Sequence, residues 1–298
     1  MCYRDWRGNF GDDLNLPFFQ AMVPNHLDIL PDIKLYGIGT LLNSNRGRIE
    51  RAVILGSGFG YGDKIDWNQQ SVTVLGVRGP RTALALGLED RDDLIIGDPA
   101  LFLPLIDCLN TGGDLGGGRS VIAPHHKTTE AWDLASISND ELFVLDPGLT
   151  RIDDYIATIK GADLVMAESL HAAIVAAAYD VPFVPIALSC EIDRSKWGDF
   201  FDSLEVERCE HYAMPIPLRK KLRRLEVGVA RGLARKGYCV ERHYRGSKLP
   251  PKCVSAIRRA AGDVKLMSRN CQIRGDRRII QKYQNRILNA CNKLASMK

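Results

Sequence analysis

"LVMAESLHAAIVAAAYDVPFVPI", residues 164–186, decides the fold. An aliphatic run (164–168) leads into a small-residue segment of helical period, "SLHAAIVAAAY", and then into a second aliphatic run (181–186). Runs that are apolar on both faces belong to a parallel sheet covered by helices, and a helix between two of them is the β-α-β grammar. Working outward, the pattern repeats in "RAVILG" (51–56), "VTVLGV" (72–77), "DLIIGD" (93–98), "SVIAPH" (120–125) and "LFVLD" (142–146). "PRTALALGL" and "RIDDYIATIKGA" supply further helices. The class is α/β with right-handed crossovers. "LNTGGDLGGGRS" (109–120) interrupts the series and reads as a flexible linker. The expected plan is two Rossmann-like domains facing a cleft, residues 1–112 and 113–218, followed by a basic helical C-terminal extension, residues 219–298.

Composition narrows the class. The chain has 298 residues, 45% hydrophobic and 26% charged, ordinary for a globular protein with sizeable cores. The longest apolar run falls far short of the roughly 20 residues of a membrane-spanning helix. "MCYRDWRG" at the start has no apolar signal core, so a cytoplasmic protein is expected. Eight cysteines lie scattered with no CxxC pair, which signals neither a zinc site nor a redox dithiol. Charge is unevenly placed. Residues 1–218 hold 17 Lys+Arg against 32 Asp+Glu, and residues 219–298 hold 23 against 4.

Ligands in parallel sheets bind beyond the carboxyl ends of the strands, so residues just after each strand are the candidates. "SGFGYG" (57–62) after the first long strand, beginning at Ser57, is either a ligand-contacting loop or a tight turn. In "GVRGPRT", Arg78 is placed to grip a carboxylate or phosphate with paired hydrogen bonds, against a surface salt bridge; Arg81 lies one turn into the helix. Asp98, before Pro99, reads as a turn or cap. "APHHK" offers His125, His126 and Lys127 as a cationic rim, with only one histidine expected to face the cleft because neighbours in extended chain point oppositely. Ser169 is a natural N-cap that places His171 in the first turn of a helix, where N–H groups and the dipole attract anions. Glu168 is either a base or the terminal polar residue of its strand. "GNFGDD" (8–13), with Asn9 and Gly11 shaping a turn, either aims Asp12 or Asp13 at a substrate hydroxyl or simply starts a helix.

Taken in order, "GNFGDDLN", "YGIGTLLN", "ILGSGFGYG", "GVRGPRTALALG", "IIGDPALFLP", "VIAPHHK", "DDYIATIKGADLVMAESLHAAIVAAAYDVPFVPI" and "KWGDFFDSL" resemble the polysaccharide pyruvyl transferase family over roughly residues 1–205. The resemblance implies a glycosyltransferase-B-like fold and transfer of pyruvate from phosphoenolpyruvate to a sugar as a cyclic ketal, with no metal and no further cofactor. On that basis His171 serves the leaving phosphate. Arg78, His125 or His126, and Lys127 bind the donor's anionic groups, and Asp12 or Asp13 handles a sugar hydroxyl. Family members commonly carry an arginine two residues before the histidine; this chain has Ser169 there, so Arg78, Lys127 or Arg151 must take over that contact.

The basic extension is amphipathic, with Ile279, Tyr283, Ile287 and Leu294 near one side of "RRIIQKYQNRILNACNKLASM". Two expectations stand side by side: it lies on an anionic membrane face and brings the enzyme to a lipid-linked glycan, or it packs on its own domain. Two rival functions remain, a sugar-nucleotide glycosyltransferase on the same architecture and a non-enzymatic membrane or nucleic-acid adaptor. An acidic body and a tail without base-stacking aromatic clusters argue against nucleic acid.

Overall fold

A computed structural model describes residues 8–24, 33–43, 48–60, 65–189, 192–207, 210–214, 247–267 and 272–297. Two parallel sheets organise it. The first has β1 (Lys34–Tyr36), β2 (Ala52–Leu55) and β3 (Val72–Gly76) in that spatial order. The second contains β4 (Ser120–Ala123), β6 (Leu142–Val144), β7 (Val165–Ala167), β8 (Phe183–Ala187) and β9 (Tyr212–Ala213), in the order β6-β4-β7-β8-β9. A two-residue pairing of β5 (Trp132–Asp133) with β10 (Ser247–Lys248) stands apart. In the five-stranded sheet the chain runs outward from β4 to β6 and returns to β7 on the other side of β4. The topological switch point therefore lies between β4 and β7, the place where sheets of this kind bind ligand beyond the strand ends.

Helices follow the expected places: α1 (Phe10–Asp13), α2 (Asn15–Met22), α3 (Pro80–Ala85), α4 (His126–Ala131), α5 (Ile152–Gly161), α6 (Leu170–Ala178), α7 (Arg194–Ser203), α8 (Pro251–Leu266) and α9 (Arg277–Ala295). Pro80 opens α3, where its missing N–H is no loss. The run "DLIIGD" departs from expectation. It forms a 3₁₀ turn (Asp92–Leu94) and a single parallel bridge, Val77 to Ile95, because Gly97 at φ +79° and Pro99 end the extended chain at once. A longer 3₁₀ segment, Pro99–Leu105, then enters the core.

One hydrophobic core joins both sheets. Val53 and Leu55 of β2, Val121 and Ala123 of β4, Val165 and Ala167 of β7, the Pro99–Leu105 segment, α6 and the apolar side of α9 all belong to it. A second core lies under α8, from Ile122, Met166 and Val184 to Ile257, Ala261 and Val264. A third packs α3 on the far face of the first sheet.

The Gly-rich stretch read as a flexible linker is corrected: it is pinned to α5. Gly113 N–H donates to Asp154 (2.9 Å) and Leu115 N–H to Thr158 Oγ1 (3.0 Å), while Asp114 accepts from Gly116, Gly117 and Gly118. Asn110 reaches back to the carbonyls of Leu103 and Ile106.

Of the two expectations for the basic extension, packing on the protein's own core is what α9 does. Ile280, Tyr283, Ile287, Ala290, Cys291 and Leu294 are buried. The Tyr283 hydroxyl donates to Ser203 O (2.9 Å), and Arg286 donates to Ile95 O (2.6 Å) and Asp92 Oδ2 (2.7 Å). Residues 219–246, 268–271 and 298 of the extension lie outside the described residues. Among the described residues no helix is long and apolar enough to cross a membrane.

Candidate active site

The carboxyl ends of both sheets supply the site. After β7, Ser169 holds the N-cap position of α6 in extended conformation, and His171 falls in the first turn as expected; the Ser169 side chain itself caps nothing. His171 lies against Gly11 of α1 so closely that a Cβ there would overlap the imidazole. This answers what "GNFGDD" is for: only glycine lets that turn approach the histidine. The turn is held in place by Phe10, whose ring stacks on Tyr155 of α5 at 4.1 Å and whose N–H donates to Pro147 O (3.0 Å). Asn15 ties it to the first sheet, accepting from Ile38 N–H (2.8 Å) and donating to Ile38 O (2.9 Å).

Both aspartates turn back to Asn9, by different groups. Asp13 Oδ2 accepts the Asn9 N–H (3.2 Å), which is a helix-start role. Asp12 accepts the Asn9 side-chain amide (3.2 Å) and lies close enough to Lys196 to raise its pKa.

Arg78, after β3, is fully buried, so the surface salt bridge weighed from the sequence is replaced by an internal one. Its Nε donates to Asp199 Oδ2 (3.1 Å), and its terminal nitrogens donate to Thr40 Oγ1 (3.1 Å) and Phe59 O (3.2 Å). Gly58 makes room for the guanidinium, which a Cβ would strike. Ser57 is buried in a structural role, donating to Gly39 O (3.2 Å) and accepting from Leu41 N–H (3.3 Å). Asp98 caps the 3₁₀ segment through Ala100 N–H (3.0 Å), and burial lifts its carboxyl to about 6.

After β4 the expectation that His125 and His126 face opposite ways is corrected. The strand ends at Ala123, His125 caps α4, which begins at His126, and the two imidazoles lie side by side with centroids 4.2 Å apart. His125 Nδ1 accepts the Lys127 N–H (3.4 Å). Glu168 stands between these loops, 1% exposed. Its Oε2 accepts His125 N–H (2.8 Å), and its Oε1 accepts Leu188 N–H (3.1 Å), Ser189 N–H (2.8 Å) and Ser189 Oγ (3.0 Å). Burial raises its pKa while those donors pull it back.

Two residues of α7 were not singled out in the sequence, Lys196 and Asp199. They sit in "RSKWGDFFDS" one turn apart, both buried. The signal was a lysine and an aspartate on the same side as Trp197 and Phe200, where charge is costly unless something holds it. Burial above all, with the Arg78 charge, brings the Lys196 ammonium down to about 8 against the opposing pull of Asp193, Asp12 and Glu168. Burial also drives His171 down to about 3, helped by the charges of Arg78 and Lys196. His125 falls well below its ordinary value through burial and the neighbouring His126, Lys196 and Lys127. His171 Nε2 is shielded from solvent and has no hydrogen-bond partner among the described residues. The neutral imidazoles of His125 and His171, an ammonium of lowered pKa and a fixed guanidinium are thus gathered where strands from two sheets end. An arriving anion stabilises every protonated form among them.

A family model described as polysaccharide pyruvyl transferase matches residues 9–189, from the "GNFGDD" turn through His171 to Ser189. The chain belongs to the polysaccharide pyruvyl transferase family. This member is 33% identical over 218 residues to the succinoglycan biosynthesis protein ExoV of Rhizobium meliloti (strain 1021). That match covers 67% of this chain and 62% of the relative, so this pyruvyl transferase family member spans less than two thirds of the relative's length. No solved structure matches it.

Proposed function

We propose that this protein transfers pyruvate from phosphoenolpyruvate to a sugar of a polysaccharide or lipid-linked oligosaccharide, forming a cyclic ketal. The observation that carries the reading is His171 Nε2, shielded from solvent, without a hydrogen-bond partner among the described residues, and within the field of Arg78 and Lys196. A donor with a carboxylate and a phosphate on a small frame suits a site whose cations come from several loops.

In this reading, protonation of the donor's methylene carbon makes its neighbour electrophilic. Two sugar hydroxyls add there, each losing its proton, and inorganic phosphate leaves with the enol oxygen. The sum is one phosphoenolpyruvate and one diol giving one ketal and one phosphate. Lys196, the His125, His126 and Lys127 loop and the first N–H groups of α6 hold the donor, with the buried charge of Arg78 behind them. His171 is placed by the phosphate, and Asp12 is the carboxylate for the sugar hydroxyl. Ser169 leaves the position of the family's arginine without a charge, and Lys196 compensates in this account. The glycosyltransferase-B-like arrangement of two domains and the attraction of the exposed basic residues to an anionic membrane face belong to the same proposal.

Incubating the purified protein with phosphoenolpyruvate and candidate glycans tests it. A pyruvate-sized mass gain on the glycan with release of one phosphate is expected. Release of nucleotide from a sugar nucleotide, with phosphoenolpyruvate untouched, overturns the proposal in favour of glycosyl transfer.

A further inference from the structure

Helix α7 belongs to the second sheet's side of the chain, yet Asp199 meets the first sheet's loops. Its Oδ1 accepts the N–H groups of Arg81 (3.0 Å) and Thr82 (3.2 Å) at the start of α3. Its Oδ2 accepts Thr82 Oγ1 (2.7 Å) and Arg78 Nε (3.1 Å). Thr82 Oγ1 accepts Phe59 N–H (2.9 Å), and the other Arg78 nitrogens reach Phe59 O and Thr40 Oγ1. A closed circuit of hydrogen bonds thus fixes the loops after β1, β2 and β3 to α7. Gly79 has no side chain because the Asp199 carboxylate occupies that space.

One turn further along both helices a second arginine–aspartate pair repeats the pattern. Arg81 donates to Asp202 from Nε (2.6 Å) and from a terminal nitrogen (3.3 Å). This outer pair is about one third exposed, whereas the inner pair is sealed at 0% and 1%. An exposed pair contributes little, while a buried charge left without its partner is strongly unfavourable.

We propose that Asp199 is a positioning residue for the transfer reaction: it fixes the sealed Arg78 guanidinium behind the site, so that its charge bears on His171 and on the donor across the two sheets. The outer pair only fastens α3 to α7. The kinetic part rests on the pyruvyl-transfer reading; the spectroscopic part does not.

The kinetic test compares Arg78→Ala, Asp199→Asn, Asp202→Asn and the double variant Arg78→Ala/Asp199→Asn. Arg78→Ala is expected to lower kcat/KM for phosphoenolpyruvate roughly a hundredfold to a thousandfold. Asp199→Asn should come close to it, chiefly in kcat, since Asn turns an N–H toward Arg78. The double variant should be no worse than Arg78→Ala alone, because the two residues act as one unit. Asp202→Asn should stay within about threefold of the parent protein. A full multiplicative loss in the double variant, or equal losses in Asp199→Asn and Asp202→Asn, overturns the proposal.

The second readout is the Arg78 Nε–H resonance in nitrogen-edited spectra of the folded protein. It should exchange slowly in the parent and in Asp202→Asn, and rapidly in Asp199→Asn; continued protection in Asp199→Asn overturns the proposal. Should Asp199→Asn fail to fold, Thr82→Val, which removes one donor from the same carboxylate oxygen, is expected to accelerate that exchange and to lower kcat about tenfold. Unchanged exchange in Thr82→Val is then the overturning result. If the parent protein transfers no pyruvate, the reaction assignment fails while the exchange rates still decide the role of Asp199.

Discussion

Gly11 and His171 meet with no space between them, and a methyl group on Gly11 has to displace the imidazole. Gly11→Ala should therefore lower turnover by at least about a hundredfold and cost on the order of 1–3 kcal/mol in stability, read by kinetics and urea unfolding. A normal rate would separate His171 from the chemistry. Lys196 makes the opposite kind of prediction. Its folded pKa, about 8, lies below the ordinary 10.5, so between those values the unfolded chain binds a proton that the folded one does not. Stability accordingly rises as pH climbs from about 8 to 10.5. Below pH 8 the burial of the ammonium is a constant cost of about 3 kcal/mol, at about 1.4 kcal/mol per unit. Lys196→Met should raise Tm at pH 7 while abolishing transfer, and the gain should shrink above pH 8. Thermal melts from pH 7 to 10 check the sign.

At the scale of elements, Glu168 ties strand ends together. Four donors from the ends of β4 and β8, the strands on either side of its own β7, converge on its two oxygens. Glu168→Gln replaces one acceptor by an N–H facing donors, and it should cost about 3 kcal/mol or more in unfolding free energy. A stable but inactive variant would return Glu168 to the chemistry. Helix α9 is likewise structural. Ile287 is fully buried in the shared core, so Ile287→Ala should destabilise by about 2–5 kcal/mol in denaturant unfolding. The helix was legible in the sequence as an amphipathic segment, because period marks an apolar side; what that side meets is set by the distant Leu101, Ser203 and Ile95, and period carries no such information. "DLIIGD" failed for a related reason. A short apolar run does not distinguish a strand from a buried turn, and the positive φ of Gly97 decided against the strand.

At the scale of the whole molecule, the order of aliphatic runs carried the fold class and the rule of strand ends carried Arg78, His125 and His171. Lys196 and Asp199 escaped because they come from a helix whose formula looks polar, and their burial depends on α7 crossing to α3. The turn at Gly11 shows the same limit, since its partner lies 160 residues away in the chain. On the proposed function, these groups, brought from both sheets, serve one small anionic donor. Titrating the protein with phosphoenolpyruvate at pH 8 by calorimetry, in two buffers of different ionisation enthalpy, tests it most directly. Lys196 is half protonated there, and a bound anion raises its pKa, so binding should take up about half a proton or less in the parent protein. Uptake should vanish in Lys196→Met, and affinity should fall in Arg78→Ala and His171→Ala. Absence of binding, or binding equally tight in all three variants, would contradict the claim.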